Sequence, residues 1–132
     1  MDTSNLSFIT PRALAARLAE ADAPRLLDVR SEAAFAQSSQ MLAGALRCQP
    51  ENLDAWLATK TPEEVVVYCV YGHRVSVDAA ARFRSAGWQV HVLAGGFMGG
   101  EDGVDAPGDI ADWRACSLPR MPRQPGLSGA IT

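Results

Sequence analysis

The chain has 132 residues, 48% hydrophobic and 20% charged, the composition of one globular domain with its own core rather than of a disordered or fibrous chain. A formal net charge of -3 offers no basic face for phosphates, so nucleic acid is not an expected partner. No apolar run approaches the roughly 20 residues needed to cross a bilayer, and the polar start Met1-Asp2-Thr3-Ser4-Asn5 lacks the basic and apolar parts of a secretory signal, so the expectation is a cytoplasmic protein with no membrane partner.

Along the chain, Phe8-Ile9 is a short apolar start. Thr10 then reads as an N-cap with Pro11 at the first helical position, and Leu14 and Leu18 fall one turn apart on the helix, which must stop before Pro24. The run Leu26-Leu27-Asp28-Val29 is too brief for a helix and reads as a buried strand. Ser31 can cap a short helix through Phe35, followed by a loop containing Gly44, a strand from Ala45 to Cys48, and a helix from Asn52 to Ala58 with Leu53, Trp56 and Leu57 on one side.

The strongest strand is Val65-Val66-Val67-Tyr68-Cys69, apolar without alternation, as a central parallel strand covered on both faces requires. Val75, Ala79 and Phe83 recur every four residues on the next helix, which Gly87 can terminate in the left-handed conformation. Trp88 to Leu93 alternates and runs into the tight-turn pair Gly95-Gly96, with His91 on the outward side of the strand. Strands alternating with helices predict an α/β domain, a mainly parallel central sheet with helices on both faces, over residues 1–116. Residues 117–132 are rich in Pro, Gly and Ser and read as a C-terminal tail.

Cys48, Cys69 and Cys116 are odd in number and widely spaced, which indicates neither a disulfide framework nor a metal knuckle. In open parallel sheets ligands gather at the carboxyl ends of strands, and Asp28 and Cys69 both fall there. The segment Cys69-Val70-Tyr71-Gly72-His73-Arg74 lies between the best strand and the following helix. There the backbone N–H groups and the helix N-terminus favour an anion, and a thiolate at the start of the loop gains from the same field. Gly72 supplies freedom for the turn and Arg74 a permanent charge with a fork of donors.

Leu26 to Arg30, the Gly44-Ala45 pair, Tyr68 to Arg74 and Leu93-Ala94-Gly95-Gly96 together resemble the ordered landmarks of the rhodanese domain, over about residues 6 to 100. The resemblance implies a three-layer rhodanese-like fold and a thiosulfate-type sulfurtransferase. In it Cys69 carries sulfur as a persulfide, Arg74 meets the anionic donor, and Asp28 with Arg30 supports the site from the neighbouring strand end. Val70, Tyr71, Gly72 and His73 would line the substrate site with Arg30. The implied partners are a small anionic sulfur donor and a thiol or cyanide-like acceptor, acting on a monomer or homodimer with no cofactor and no metal. Related phosphatases and arsenate reductases have five residues between cysteine and arginine; here four separate Cys69 from Arg74, which favours sulfur chemistry.

The chain departs from the family at three places. Gln40 to Ala45 replaces a Gly-His-Ile-Pro-Gly-Ala stretch, Gly100 stands where a tryptophan commonly follows the Gly-Gly pair, and Val75 follows the loop arginine where a serine is usual, with Ser76 one place later. Asp28 and Arg30 also read as a structural ion pair holding two loops. Two other classes of function stay open: a non-catalytic rhodanese-like binding module, and a thiol redox protein in which Cys48 or Cys116 resolves an oxidised Cys69.

Overall fold

The structure is a computed structural model that describes residues 6–116 and 118–123; the start Met1 to Asn5, read above as no secretory signal, and positions 117 and 124–132 of the tail lie outside the described residues. Strands β1 (Ser7–Ile9), β2 (Arg25–Asp28), β4 (Leu46–Arg47), β5 (Glu64–Tyr68) and β6 (Gln89–Leu93) form one sheet in the order β1-β6-β5-β2-β4. All four pairings are parallel. The expected α/β architecture with a mainly parallel central sheet is what the chain adopts.

The unbroken apolar run of β5 has its reason in this position. Val65 and Val67 pack into one core with Leu53 and Trp56 of α3 (Leu53–Leu57) and Ala79, Ala80 and Phe83 of α4 (Arg74–Ser85). Val66 and Tyr68 point the other way, into a core with Leu14 of α1 (Pro11–Leu18) and Phe35 of α2 (Glu32–Gln37). Alternate side chains of a central strand each need an apolar layer, and two are present. The α3–α4 layer is fastened by Trp56, Phe83 and Trp88, with ring centroids 4.9 to 5.9 Å apart.

Helix starts follow the caps in the sequence. Thr10 Oγ1 accepts from the Ala13 N–H and Ser31 Oγ from the Ala34 N–H, both at 3.2 Å. Gly87 carries a φ of 90° after the last turn of α4, the left-handed C-terminal position that glycine suits. His91 is only half exposed, because its ring bonds Ser7 Oγ at 2.9 Å and lies 3.2 Å from Glu64 Oε2.

Three elements had no local signal. Residues read as loop form β3 (Gln40–Leu42), which pairs antiparallel with β7 (Arg120–Pro122), Met41 opposite Met121. Each strand is three residues long, and its partner lies about 80 positions away, so the pairing is tertiary rather than local. Arg123 extends the join: its N–H donates to Ser39 O at 3.0 Å and its guanidinium to the carbonyls of Ala36 and Phe35. The third is α5 (Pro107–Ala115), whose Trp113 packs onto the Gly95–Gly100 turn. Among the described residues, no helix is long and apolar enough to cross a membrane.

At the end of β2 lies a fully buried charge cluster. Asp28 Oδ2 accepts from Arg30 Nη2 at 2.7 Å and from the Tyr68 hydroxyl at 2.8 Å, while Oδ1 accepts the Arg30 backbone N–H at 3.1 Å. Arg47 adds a second buried guanidinium, donating through Nη1 to Arg30 O at 2.7 Å and to Asp28 O at 3.2 Å. Burial holds its pKa below the usual arginine range. Removing Asp28 takes away the buried counter-ion of Arg30 and leaves Arg47 only the exposed Glu32 carboxylate, 3.5 Å from its Nη2, so Asp28→Ala should cost about 3–5 kcal/mol. Urea unfolding checks this, and a loss under ~1 kcal/mol would mean that the hydrogen bonds to carbonyls suffice.

Candidate functional site

Cys69 follows β5 directly, and its thiol is buried, 5% exposed, with Sγ donating to Ser76 Oγ at 3.1 Å. Ser76 is fully buried in the first turn of α4. The serine that stands one place later than the family pattern is therefore the hydroxyl that reaches the sulfur. One turn into the helix is far enough to look back at the strand end, whereas Val75 is only half-buried.

The loop is pressed against the Gly95-Gly96 turn. Phe97 N–H donates to Cys69 O at 2.8 Å and Met98 N–H to Val70 O at 2.9 Å. A Cβ on Gly96 would stand 2.6 Å from Cys69 O and from Gly72 N, and one on Gly72 would stand 2.7 Å from Leu93 O. Both glycines have positive φ, 60° and 78°, so neither the space nor the backbone admits a side chain. With the carbonyls of Cys69 and Val70 turned to this partner, the N–H groups of Val70, Tyr71, Gly72 and His73 have no acceptor among the described residues. These donors sit beside the N-terminus of a 12-residue helix, an arrangement suited to an anion.

Arg74 opens α4, is exposed, and has no ion-pair or hydrogen-bond partner among the described residues. With Tyr71, Gly72 and His73 it forms one wall of a pocket of about 540 Å³. Cys69 is not among the lining residues, so the pocket lies against the loop that follows the sulfur rather than over the sulfur itself. His73 Nε2 lies 3.2 Å from Asp105 Oδ2 and 3.5 Å from Glu101 Oε1, which ties the loop to the turn before α5.

Asp28 and Arg30 stand behind the loop. Both are closed off from solvent, 0% and 1% exposed, and the Arg30 guanidinium lies over Phe97 at 4.3 Å and over Phe35 at 5.2 Å. Their link to the site is Tyr68, whose hydroxyl joins Asp28 one residue before Cys69. The sequence reading missed Ser76 as the contact to sulfur, Arg47 in the buried cluster, and Trp113. Arg47 was signalled by a lone charge between Leu46 and Cys48 in an apolar run; Trp113 had no signal.

Residues 10–102 match the family model of the rhodanese-like domain. The chain belongs to that family. Solved structures agree on the fold. A thiosulfate sulfurtransferase from Pseudomonas aeruginosa is 24% identical, with a TM-score of 0.62 over 92% of this chain and 20% of its own. An As-Sb reductase from Leishmania major is 22% identical, with a TM-score of 0.55 over 70% of this chain and 74% of its own. A rhodanese-related protein from Thermoplasma volcanium is 19% identical, with a TM-score of 0.62 over 87% and 97%. The rhodanese-like chain spans only 16% of a Bacillus anthracis CoADR-RHD protein that it also resembles, at 19% identity and a TM-score of 0.59 over 70% of this chain. No curated protein sequence matches it. Trp113 also explains one departure from the family: a Cβ on Gly100 would touch its ring at 3.0 Å, so an indole from α5 covers the turn where the usual tryptophan is missing.

Two outcomes follow from this geometry. Gly96→Ala should push the loop off the turn and destabilise the fold by about 1–3 kcal/mol, seen as a lower melting temperature together with altered alkylation of Cys69. Burial pushes the Cys48 thiol up to about 11, so it keeps its proton at pH 8. Iodoacetamide at that pH should leave Cys48 unmodified in the folded protein, as peptide mapping would show; rapid labelling of Cys48 would reopen its role as a resolving thiol.

Proposed function

We propose that this rhodanese-like chain is a sulfurtransferase, moving a sulfane sulfur from thiosulfate or a related donor to a nucleophilic acceptor through a persulfide on Cys69. The observation that carries the reading is the thiol at the end of the central strand, 3.1 Å from the buried Ser76 hydroxyl and at the head of a loop whose N–H groups have no acceptor among the described residues.

In the first half-reaction the Cys69 thiolate attacks the sulfane sulfur of thiosulfate. The donor's S–S bond breaks, sulfite leaves with the electron pair, and Cys69 keeps the sulfur as a persulfide. Ionised, the sulfur becomes an acceptor, and the Ser76 hydroxyl can reverse its bond and donate to it. The free loop N–H groups and the α4 N-terminus stabilise negative charge on the persulfide. Arg74 attracts the anionic donor and departing sulfite, with Tyr71, Gly72 and His73 shaping the approach. In the second half-reaction an acceptor such as cyanide or a thiolate attacks the outer sulfur, and Cys69 leaves as the thiolate.

Asp28 and Arg30 take a supporting part in this scheme. They hold the end of β5 through Tyr68 and touch neither donor nor acceptor. The redox alternative is disfavoured by Cys48, whose thiol is enclosed and directed at Gln49 O at 3.6 Å.

Thiosulfate:cyanide transfer kinetics test the assignment. Cys69→Ser should abolish transfer. Ser76→Ala removes a hydrogen bond to a charged group, worth about 1.5–3 kcal/mol, and should lower kcat/KM roughly 10- to 150-fold. Arg74→Ala should lose more activity than Arg74→Lys, which keeps the charge without the planar fork. Undiminished transfer in Cys69→Ser would overturn the function, and wild-type kinetics in Ser76→Ala would reduce that hydroxyl to packing.

A further inference from the structure

The pocket beside the sulfur loop is far larger than an inorganic donor needs. At about 540 Å³ it lies within the range of roughly 300–1,000 Å³ typical of organic ligand sites. Beyond the loop its walls carry a large apolar part, Phe8 from β1, Val77 from α4 and Trp113 from α5, beside the two carboxylates Asp78 and Asp105. Phe8 is 54% exposed, a ring on an edge strand that faces this space.

The charged groups on the wall are unequal. Asp78 is engaged by Arg82 at 3.2 Å, and Asp105 accepts the Glu101 N–H at 2.7 Å and faces His73. Arg74 alone among them has no partner within the described residues. The pocket therefore offers an apolar body site with one lining cation, Arg74, whose side chain has no partner among the described residues. Thiosulfate and cyanide, both small and strongly hydrated, would leave those walls unused.

We propose that this pocket binds the sulfur acceptor, an organic thiol with an aromatic or branched apolar body and a carboxylate or similar anionic group directed at Arg74. The proposal rests on the sulfurtransferase reading and names the class of its second substrate. The acceptor thiolate attacks the outer sulfur of the Cys69 persulfide, the sulfur–sulfur bond to Cys69 breaks, and Cys69 leaves with the electron pair while Ser76 donates to it. The product is the acceptor's own persulfide, so sulfur, electrons and charge balance without an added reductant. Arg74 serves the donor in one half-reaction and the acceptor in the other, in turn, as a ping-pong cycle permits.

Binding and transfer are tested separately. In Cys69→Ser, which cannot react, titration with 4-methylbenzoate followed by NMR should give saturable shifts at Phe8, Val77 and the Trp113 indole, with affinity roughly tenfold weaker when Arg74→Gln is added. In the wild-type protein loaded with sulfur, discharge by 4-(mercaptomethyl)benzoate should exceed discharge by 3-mercaptopropionate roughly tenfold in kcat/KM, and Phe8→Ala should bring that ratio toward one. Shifts confined to other surfaces, or a ratio that Phe8→Ala leaves intact, would overturn the pocket assignment. Failure of thiosulfate to load Cys69 would instead overturn the sulfurtransferase reading while the 4-methylbenzoate titration still reports on the pocket.

Discussion

The carboxylate of Asp28 is the buried charge around which the carboxyl edge of the sheet is arranged. It takes hydrogen bonds from Arg30 and Tyr68. Tyr68 in turn accepts the Leu42 N–H at 3.0 Å, and Arg30 donates to Gln40 O at 2.9 Å, so β2, β5 and β3 meet at one point. Burial beside that carboxylate raises the Tyr68 pKa well above its ordinary value, which keeps the hydroxyl a donor. Two guanidiniums share this one buried acid, with the exposed Glu32 carboxylate 3.5 Å from Arg47, and Arg30 and Arg47 also reach backbone carbonyls and lie against the Phe35 ring. The residue after Tyr68 is Cys69, so this cluster fixes where the Cys69 sulfur sits at the strand end.

A second constraint acts from the other side. Gly72 and Gly96 approach so closely that no Cβ fits, which turns the loop carbonyls toward the turn and leaves its N–H groups without acceptors among the described residues. The loop is thus shaped by what sits behind it, and the contacts fall on backbone atoms. Trp113 and the His73 contacts with Glu101 and Asp105 extend the support into residues beyond or at the edge of the span that the family model matches. In this chain the region after residue 102 is part of the site's wall.

Much of the fold was legible because its causes are local. The caps at Thr10 and Ser31, the unbroken Val65 to Tyr68 run and the Gly87 stop each state their structure within a few residues. The pairing of β3 with β7 was not, since Met41 and Met121 are 80 positions apart and neither strand is long enough to declare itself. The site was legible in part. Cys69 and its loop follow from strand-end position and from the resemblance to a family. The role of Ser76 depends on helical phase at the start of α4, which the spacing from Cys69 alone does not fix. The enclosure of Asp28 and Arg30 depends on aromatic rings gathered from three distant segments, Phe35, Tyr68 and Phe97.

All of these supports converge on one sulfur atom, and its ability to hold a second is the claim that everything else serves. Intact-protein and peptide mass spectrometry after brief incubation with thiosulfate reads it directly. The expected result is a gain of one sulfur atom, located on Cys69, reversed by excess thiol and absent in Cys69→Ser. No gain, or a gain located on Cys116 or Cys48, would contradict it.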